Sequence, residues 1–159
     1  LKEQSRCEEF LTTDLSSVVD IKKLLQDVPN LTKRLDVLVN NAAVQVCKPF
    51  KEITAEEWDH TMSVNVRSAF LLSQGLFPFL QKDKGSIVNI CSVHAVATSP
   101  KMAAYASSKG ALLSLTKSLA LEMGKKGVRV NAVLPGAVDT KMLQDGLRRN
   151  EAATSITGQ

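Results

Sequence analysis

Aromatic side chains are scarce here: one Trp, one Tyr and five Phe, 4% of 159 residues. With 44% apolar residues overall, the core has to be built from Leu, Val, Ile and Ala. That composition suits strands buried on both faces with helices packed on them, and the length suits one domain. Cysteine is also sparse. Cys7, Cys47 and Cys91 show no C-x-x-C spacing and are odd in number, and the two histidines, His60 and His94, lie far apart. A disulfide framework and a metal cluster are therefore not expected, and a reducing, cytoplasmic setting fits. No apolar run approaches the roughly 18 residues that span a membrane, and no signal-peptide pattern is present. The net charge of +4 is modest. The basic groups Lys125, Lys126, Arg129 and Arg148, Arg149 carry no interleaved aromatics, so they read as solvated surface and not as a nucleic-acid site.

What is present is an alternation of strand-like and helix-like stretches. Glu9–Thr13 is a short strand candidate, and Ser16 is placed to cap a helix that runs to about Pro29. Leu35–Val39 reads as a buried strand that runs into Asn40-Asn41-Ala42-Ala43. Thr54 and Glu57 form a capping box that opens a long helix to about Leu80. Ser86–Ile90 is a further strand. After Pro100 a helix continues to about Met123, apolar or small almost all round, as a helix buried on more than one side would be. Lys125-Lys126-Gly127 turns the chain into a strand over Val128–Leu134, which ends in Pro135-Gly136, and Asp139–Arg149 looks helical. This order is the signature of an α/β layer fold with parallel strands, whose ligands gather at the carboxyl ends of the strands. Asn40, Ser92 and Pro135 all fall at such ends.

The single tyrosine stands four residues before a lysine, in Tyr105-Ala-Ser-Ser-Lys109. Residues at that spacing share a helical face. A fixed ammonium beside a phenol favours the phenolate and is expected to draw the tyrosine pKa down from about 10. Ser92, at the end of the preceding strand, is placed to hold a substrate oxygen before that phenol. Asn65 interrupts an apolar helix. It is either an amide satisfied by neighbouring backbone or a member of the site, since a buried amide needs partners.

Taken together these motifs resemble the short-chain dehydrogenase/reductase family in its single-domain form. Tyr105-x-x-x-Lys109 matches the family's Y-x-x-x-K, with Ser92 13 residues before the tyrosine and Asn65 27 before the serine. Asn40-Asn41-Ala42-Ala43 is similar to N-N-A-G, with alanine in place of the glycine. Pro135-Gly136-Ala137-Val138-Asp139-Thr140 is similar to P-G-x-[IV]-x-T, and Asp14-Leu15-Ser16 to D-[VL]-[TS]. The resemblance runs from about Glu9 to Thr140.

It implies a Rossmann-like, doubly wound parallel sheet and hydride transfer between NAD or NADP and an alcohol/carbonyl pair. It implies Tyr105 as general acid and base, Lys109 as the residue that tunes it and meets the nicotinamide ribose, Ser92 on the substrate oxygen, and Asn65 on a water that links Lys109 to solvent. Asp14 and Leu15 would meet the adenine, Asn40 and Ala42 the adenosine ribose side, and Pro135, Gly136, Val138 and Thr140 the nicotinamide side. His94 is a candidate for touching substrate. Homo-oligomers through the two long apolar helices are expected.

The family's glycine-rich phosphate loop is not found in residues 1–159, nor are its strands 1, 2 and 7. The chain is therefore expected to be part of a dinucleotide-binding domain, its fourth strand left with an open apolar edge. Two other readings are a truncated, catalytically incompetent chain of the same fold and a plain phosphate- or nucleotide-binding module. The second gives Asn65, Ser92, Tyr105 and Lys109 no reason to be assembled.

Overall fold

A computed structural model describes residues 10–138. Three strands, β1 (Val37–Asn40), β2 (Ser86–Ile90) and β3 (Arg129–Val133), form a parallel sheet in the order β1-β2-β3. The fold is Rossmann-like, as the resemblance implied. Register pairs Asn40 with Asn89 and Ile90 with Val133, so the three strands end at one level. Past the strand ends, Cys91 donates to Val133 O and Val93 to Pro135 O, which holds residues 133–135 beside Ser92.

Side chains alternate across this sheet, as strand geometry requires. Ile87 and Val130 turn into a cluster with Leu80, Leu119, Met123 and Val128, supplied by the crossing helices. Val37 and Val39, on the other face of β1, remain 48% and 54% exposed. At the start of β2, Gly85 is fixed by close approach: a Cβ there would lie 2.7 Å from Asp36 O and 3.0 Å from Leu35 O.

Helix α1 (Val18–Leu31) is capped by Ser17, whose Oγ accepts from Asp20 N at 3.2 Å. The expected cap, Ser16, is engaged elsewhere, because its N–H and hydroxyl both donate to Asp14 Oδ1, at 2.8 and 2.7 Å. This Asx turn moves the helix start on by one residue. Residues 10–13 form no strand among the described residues, and Phe10 is 84% exposed. A strand exists only when a neighbour completes its hydrogen bonds, and none lies beside this segment.

The capping box of Thr54 and Glu57 is formed and starts α2 (Ala55–Met62). The expected single long helix is interrupted by a π turn, Ser63–Arg67, before α3 (Ser68–Lys82). Asn65 sits in the middle of that turn. Helix α4 (Ala103–Gly124) follows a short 3₁₀ turn, Val93–Ala95, and the turn at Lys125-Lys126-Gly127 uses a positive φ of 82° at Gly127. Lys125, Lys126 and Arg129 are exposed, as read from the sequence. No described helix is long and apolar enough to cross a membrane.

Candidate active site

A cleft of about 680 Å³ opens at the carboxyl ends of the strands. Asn41 and Ala42 reach it from the end of β1, Cys91 and Ser92 from β2, and Pro135, Gly136 and Val138 from β3, while Tyr105 and Lys109 come from the first turns of α4. The sheet therefore does what the sequence reading required: it brings strand ends more than 40 residues apart to one place.

Tyr105 and Lys109 are buried, Lys109 at only 2% exposure. The lysine Nζ donates to Ile90 O at 2.6 Å and lies 5.7 Å from the centroid of the Tyr105 ring. This bond anchors α4 to the end of β2 and spends one of the three ammonium donors. No carboxylate pairs with Lys109 among the described residues. Burial accordingly pushes its pKa down, and the nearby Cys91 thiol opposes this.

The tyrosine pKa differs from the sequence expectation. Burial pushes the phenol up, and hydrogen bonding with the Ser92 side chain is what draws it back. Burial outweighs that pull, and the Lys109 ammonium stays 5.7 Å from the ring centroid while bonded to Ile90 O. Burial also raises the Cys91 thiol, against the pull of Lys109.

Ser92 is buried and caps the 3₁₀ turn, its Oγ accepting from His94 N at 3.2 Å. That capping bond orients the hydroxyl toward the ring side of the cleft. His94 packs edge-on against Tyr105, with ring centroids 5.9 Å apart at 77°, and its Nδ1 lies 3.1 Å from Thr98 Oγ1. His94 thus lines the cleft beside the phenol.

Asn65 is 1% exposed and lies behind the cleft wall. Its Oδ1 accepts from Val44 N at 2.8 Å, and its Nδ2 donates to Val44 O and to Ser108 Oγ, both at 2.9 Å. Both donors are therefore spent within the protein, which is the backbone-satisfied alternative left open from the sequence. π turns recur at functional sites, and this one widens the helix just where the amide has to reach Val44.

Asn40 is likewise turned inward. Its Nδ2 donates to Asn89 Oδ1 at 2.8 Å, Asn89 donates on to Thr116 Oγ1 at 2.9 Å, and Thr116 to Leu112 O at 2.8 Å. This ladder ties β1 and β2 to α4 and does not line the cleft. Asp14 and Leu15 also stand apart from the cleft lining. Asp14 is fully exposed and its carboxyl is held below the ordinary range by the Ser16 side chain and N–H. Arg67 Nη2 holds the same turn through Ser16 O at 2.5 Å. Thr140 lies outside the described residues.

Sequence reasoning missed Asn89, Thr116 and Ser108. The signal for Asn89 was available as a polar residue inside an apolar strand, one position before its end. Gln45 was missed as well. It lines the cleft, and among the described residues its Nε2 meets the Met102 thioether at 3.4 Å.

Small residues, Ala42, Ala43, Gly136 and Ala137, make up much of the wall between the strand ends. A Cβ added at Gly136 would meet nothing within 4 Å, so this stretch leaves open space in the cleft. Among the described residues, no acidic side chain lines the cleft.

The sequence model of the short chain dehydrogenase family matches residues 1–151. A cyclopentanol dehydrogenase of Comamonas sp. (strain NCIMB 9872) is 34% identical over 159 residues, 99% of this chain and 64% of its own. The structure of a 4-hydroxyisoleucine dehydrogenase complexed with NADH superimposes with a TM-score of 0.81 at 30% identity, covering 92% of this chain and 61% of that one. A protein assigned as an NAD(P)-dependent gluconate 5-dehydrogenase from Beutenbergia cavernae, with bound NADP, gives a TM-score of 0.83 at 33% identity, covering 94% and 60%. The chain thus spans less than two thirds of the length of the relatives it matches.

Proposed function

The chain belongs to the short-chain dehydrogenase family, and from that premise we propose that it serves an NAD- or NADP-dependent oxidoreductase that interconverts a secondary alcohol and a ketone. The observation that carries the reading is the convergence of Ser92, Tyr105 and Lys109 on one cleft at the strand ends. Cyclopentanol, 4-hydroxyisoleucine and the C5 hydroxyl of gluconate, named for the relatives, are all secondary alcohols.

In this reading the nicotinamide, when bound, supplies the carbon that gives or takes the hydride. Pro135, Gly136 and Val138 from the end of β3 would hold that half of the cofactor, with Thr140 following, and Ala42 from the end of β1 would meet the adenosine ribose side. Asn40 would support the adenosine side from below, through the Asn89 ladder. Asp14 and Leu15 would meet the adenine outside the cleft.

The protein's own part is the proton. Ser92 Oγ, fixed by its bond from His94 N, holds the substrate oxygen. Tyr105 Oη gives that oxygen a proton in reduction and takes one in oxidation. Lys109, anchored on Ile90 O, keeps positive charge beside the phenol and has donors left for a ribose hydroxyl. His94 stands where it touches the substrate beyond the reacting carbon. Asn65 fixes the Val44 segment of the wall, and any water it holds uses the remaining lone pair of Oδ1.

The direction of the tyrosine shift sets the pH dependence. Oxidation requires the phenolate, and burial raises the phenol pKa. The oxidation rate should therefore climb as pH rises through the neutral range and level off only on the alkaline side. Reduction, which requires the protonated phenol, should stay flat through the neutral range and fall only on the alkaline side. Initial rates followed by nicotinamide absorbance across pH test this. An oxidation rate that is independent of pH, or that falls as pH rises, contradicts it.

We further read the helix surface as a self-association face. A hollow of about 620 Å³ is lined by Met62, Val66, Phe70 and Leu115, and Leu121 is exposed nearby on α4. Light scattering should give a multiple of the chain mass, and a monomer at all concentrations would remove this part.

A further inference from the structure

We propose that Ser108 is a positioning residue for the acid/base tyrosine, joining the Asn65 π turn to the backbone of Tyr105. The proposal rests on the oxidoreductase reading above and adds a residue to it. Ser108 is completely buried and touches neither the cleft nor its contents. Its hydroxyl has two partners. It donates to Tyr105 O at 2.7 Å and accepts from Asn65 Nδ2 at 2.9 Å.

The same Asn65 amide clamps both backbone groups of Val44, in the wall segment between Ala42 and Gln45. One continuous chain of hydrogen bonds therefore runs from the wall segment, through the π turn, to the carbonyl of the tyrosine. Nothing in helix formation requires it. A serine that bonds back to the i−3 carbonyl generally bends a helix slightly and stabilises it little. An asparagine in mid-helix normally competes with the backbone. Each is locally unfavourable, and together they satisfy each other with the helix widened to allow it. Such a departure from local preference is expected where placement matters more than stability.

The consequence falls on the first turn of α4. Tyr105 is held from below by Ser108 and from the side by the His94 ring, and Ser92 lines the same cleft. The titratable and charged groups facing it are Cys91, Lys109 and His94. Loss of the Ser108 bonds loosens the turn and weakens the contact with Ser92, which is what opposes the effect of burial on the phenol. The phenolate becomes harder to form, and the alkaline rise of the oxidation rate moves to higher pH.

Ser108→Ala tests this in the intact enzyme. A misplaced catalytic group of this kind costs about ten- to a hundredfold. The kcat for alcohol oxidation should fall by that order, KM for the cofactor should stay within about twofold, and the pH midpoint should shift upward. In an Asn65→Ala background the same change should add little, because the two residues act as one link. Ser108→Cys keeps the size with a weak hydrogen-bonding group and provides a second variant if alanine compromises folding. It should shift the midpoint in the same direction.

An unmoved midpoint in a folded variant, or losses that multiply fully with Asn65→Ala, would overturn the proposal. A Tyr105→Phe control separates the two levels. If that variant is inactive while Ser108→Ala behaves as wild type, only the positioning role falls. If Tyr105→Phe is fully active, the oxidoreductase reading falls with it.

Discussion

Replacing Tyr105 by phenylalanine is expected to slow hydride transfer by about 10²–10⁴-fold, the usual contribution of a positioned general acid or base. The substitution removes one oxygen and leaves the ring. The edge-on packing against His94, at 5.9 Å between centroids, survives, and so does the backbone bond from Ser108. Folding should be nearly untouched and cofactor affinity should change little, so the loss should appear in kcat. Single-turnover nicotinamide absorbance, with circular dichroism as the folding check, reads both. A rate within a few-fold of wild type would mean that another group moves the proton, and His94 is the residue next to the phenol.

Lys109→Met is expected to separate activity from stability. Methionine fills similar space without a charge. The wild-type ammonium is almost completely buried with a carbonyl as its hydrogen-bond partner and no carboxylate pair among the described residues. Burying a charge in that way is costly, and burial already pushes its pKa down. Removal should therefore leave the Tm unchanged or raise it by a few degrees, less what is lost by freeing Ile90 O. Activity should fall by about a hundredfold or more, because the phenolate that oxidation needs, and that reduction leaves, loses the adjacent charge, and a ribose donor is lost as well. Stability retained at the expense of function is the mark of a residue kept for chemistry. A large drop in Tm with proportionate activity would instead assign Lys109 to the scaffold, as the strut between α4 and β2. Thermal melts beside steady-state rates decide between them.

Much of this was legible in the sequence because it is local. The Thr54 box, the strand Ser86–Ile90 and the Tyr105/Lys109 face depend on spacings of three, two and four residues, and each appears where spacing places it. The fold class followed from the alternation of such elements. What was not legible depends on partners distant in the chain. Asn40 reads as a strand-end amide free for a ligand until register sets it opposite Asn89, 49 residues away. Asn65 reads as a helix residue until the helix opens into a π turn around it and Ser108 arrives from α4. The tyrosine shift reversed because the folded chain buries the phenol, which spacing alone does not show. Spacing puts Lys109 beside Tyr105, but the end of β2 decides that the ammonium bonds to Ile90 O. Phe10–Thr13 has strand-like composition and no neighbour, and composition alone does not make a strand. Ser16 lost its cap to Ser17 because Asp14 engaged it first.

These differences bear on which residues act and leave the nature of the cleft unchanged. Tyr105, Ser92, Lys109 and His94 line it, whereas Asn65 and Asn40 shape it from behind. The sheet supplies the strand ends, the π turn fixes the wall at Val44, and α4 presents Tyr105 and Lys109. Each part is separately mutable, so the account makes separable demands.

The most direct test is isotopic. A secondary alcohol carrying deuterium on its carbinol carbon is incubated with NAD or NADP and the protein, and the reduced cofactor is weighed by mass spectrometry. The account predicts one deuterium on the nicotinamide ring for wild type and a severely slowed transfer for Tyr105→Phe. A reduced cofactor that carries no deuterium, or transfer undiminished in Tyr105→Phe, would contradict it.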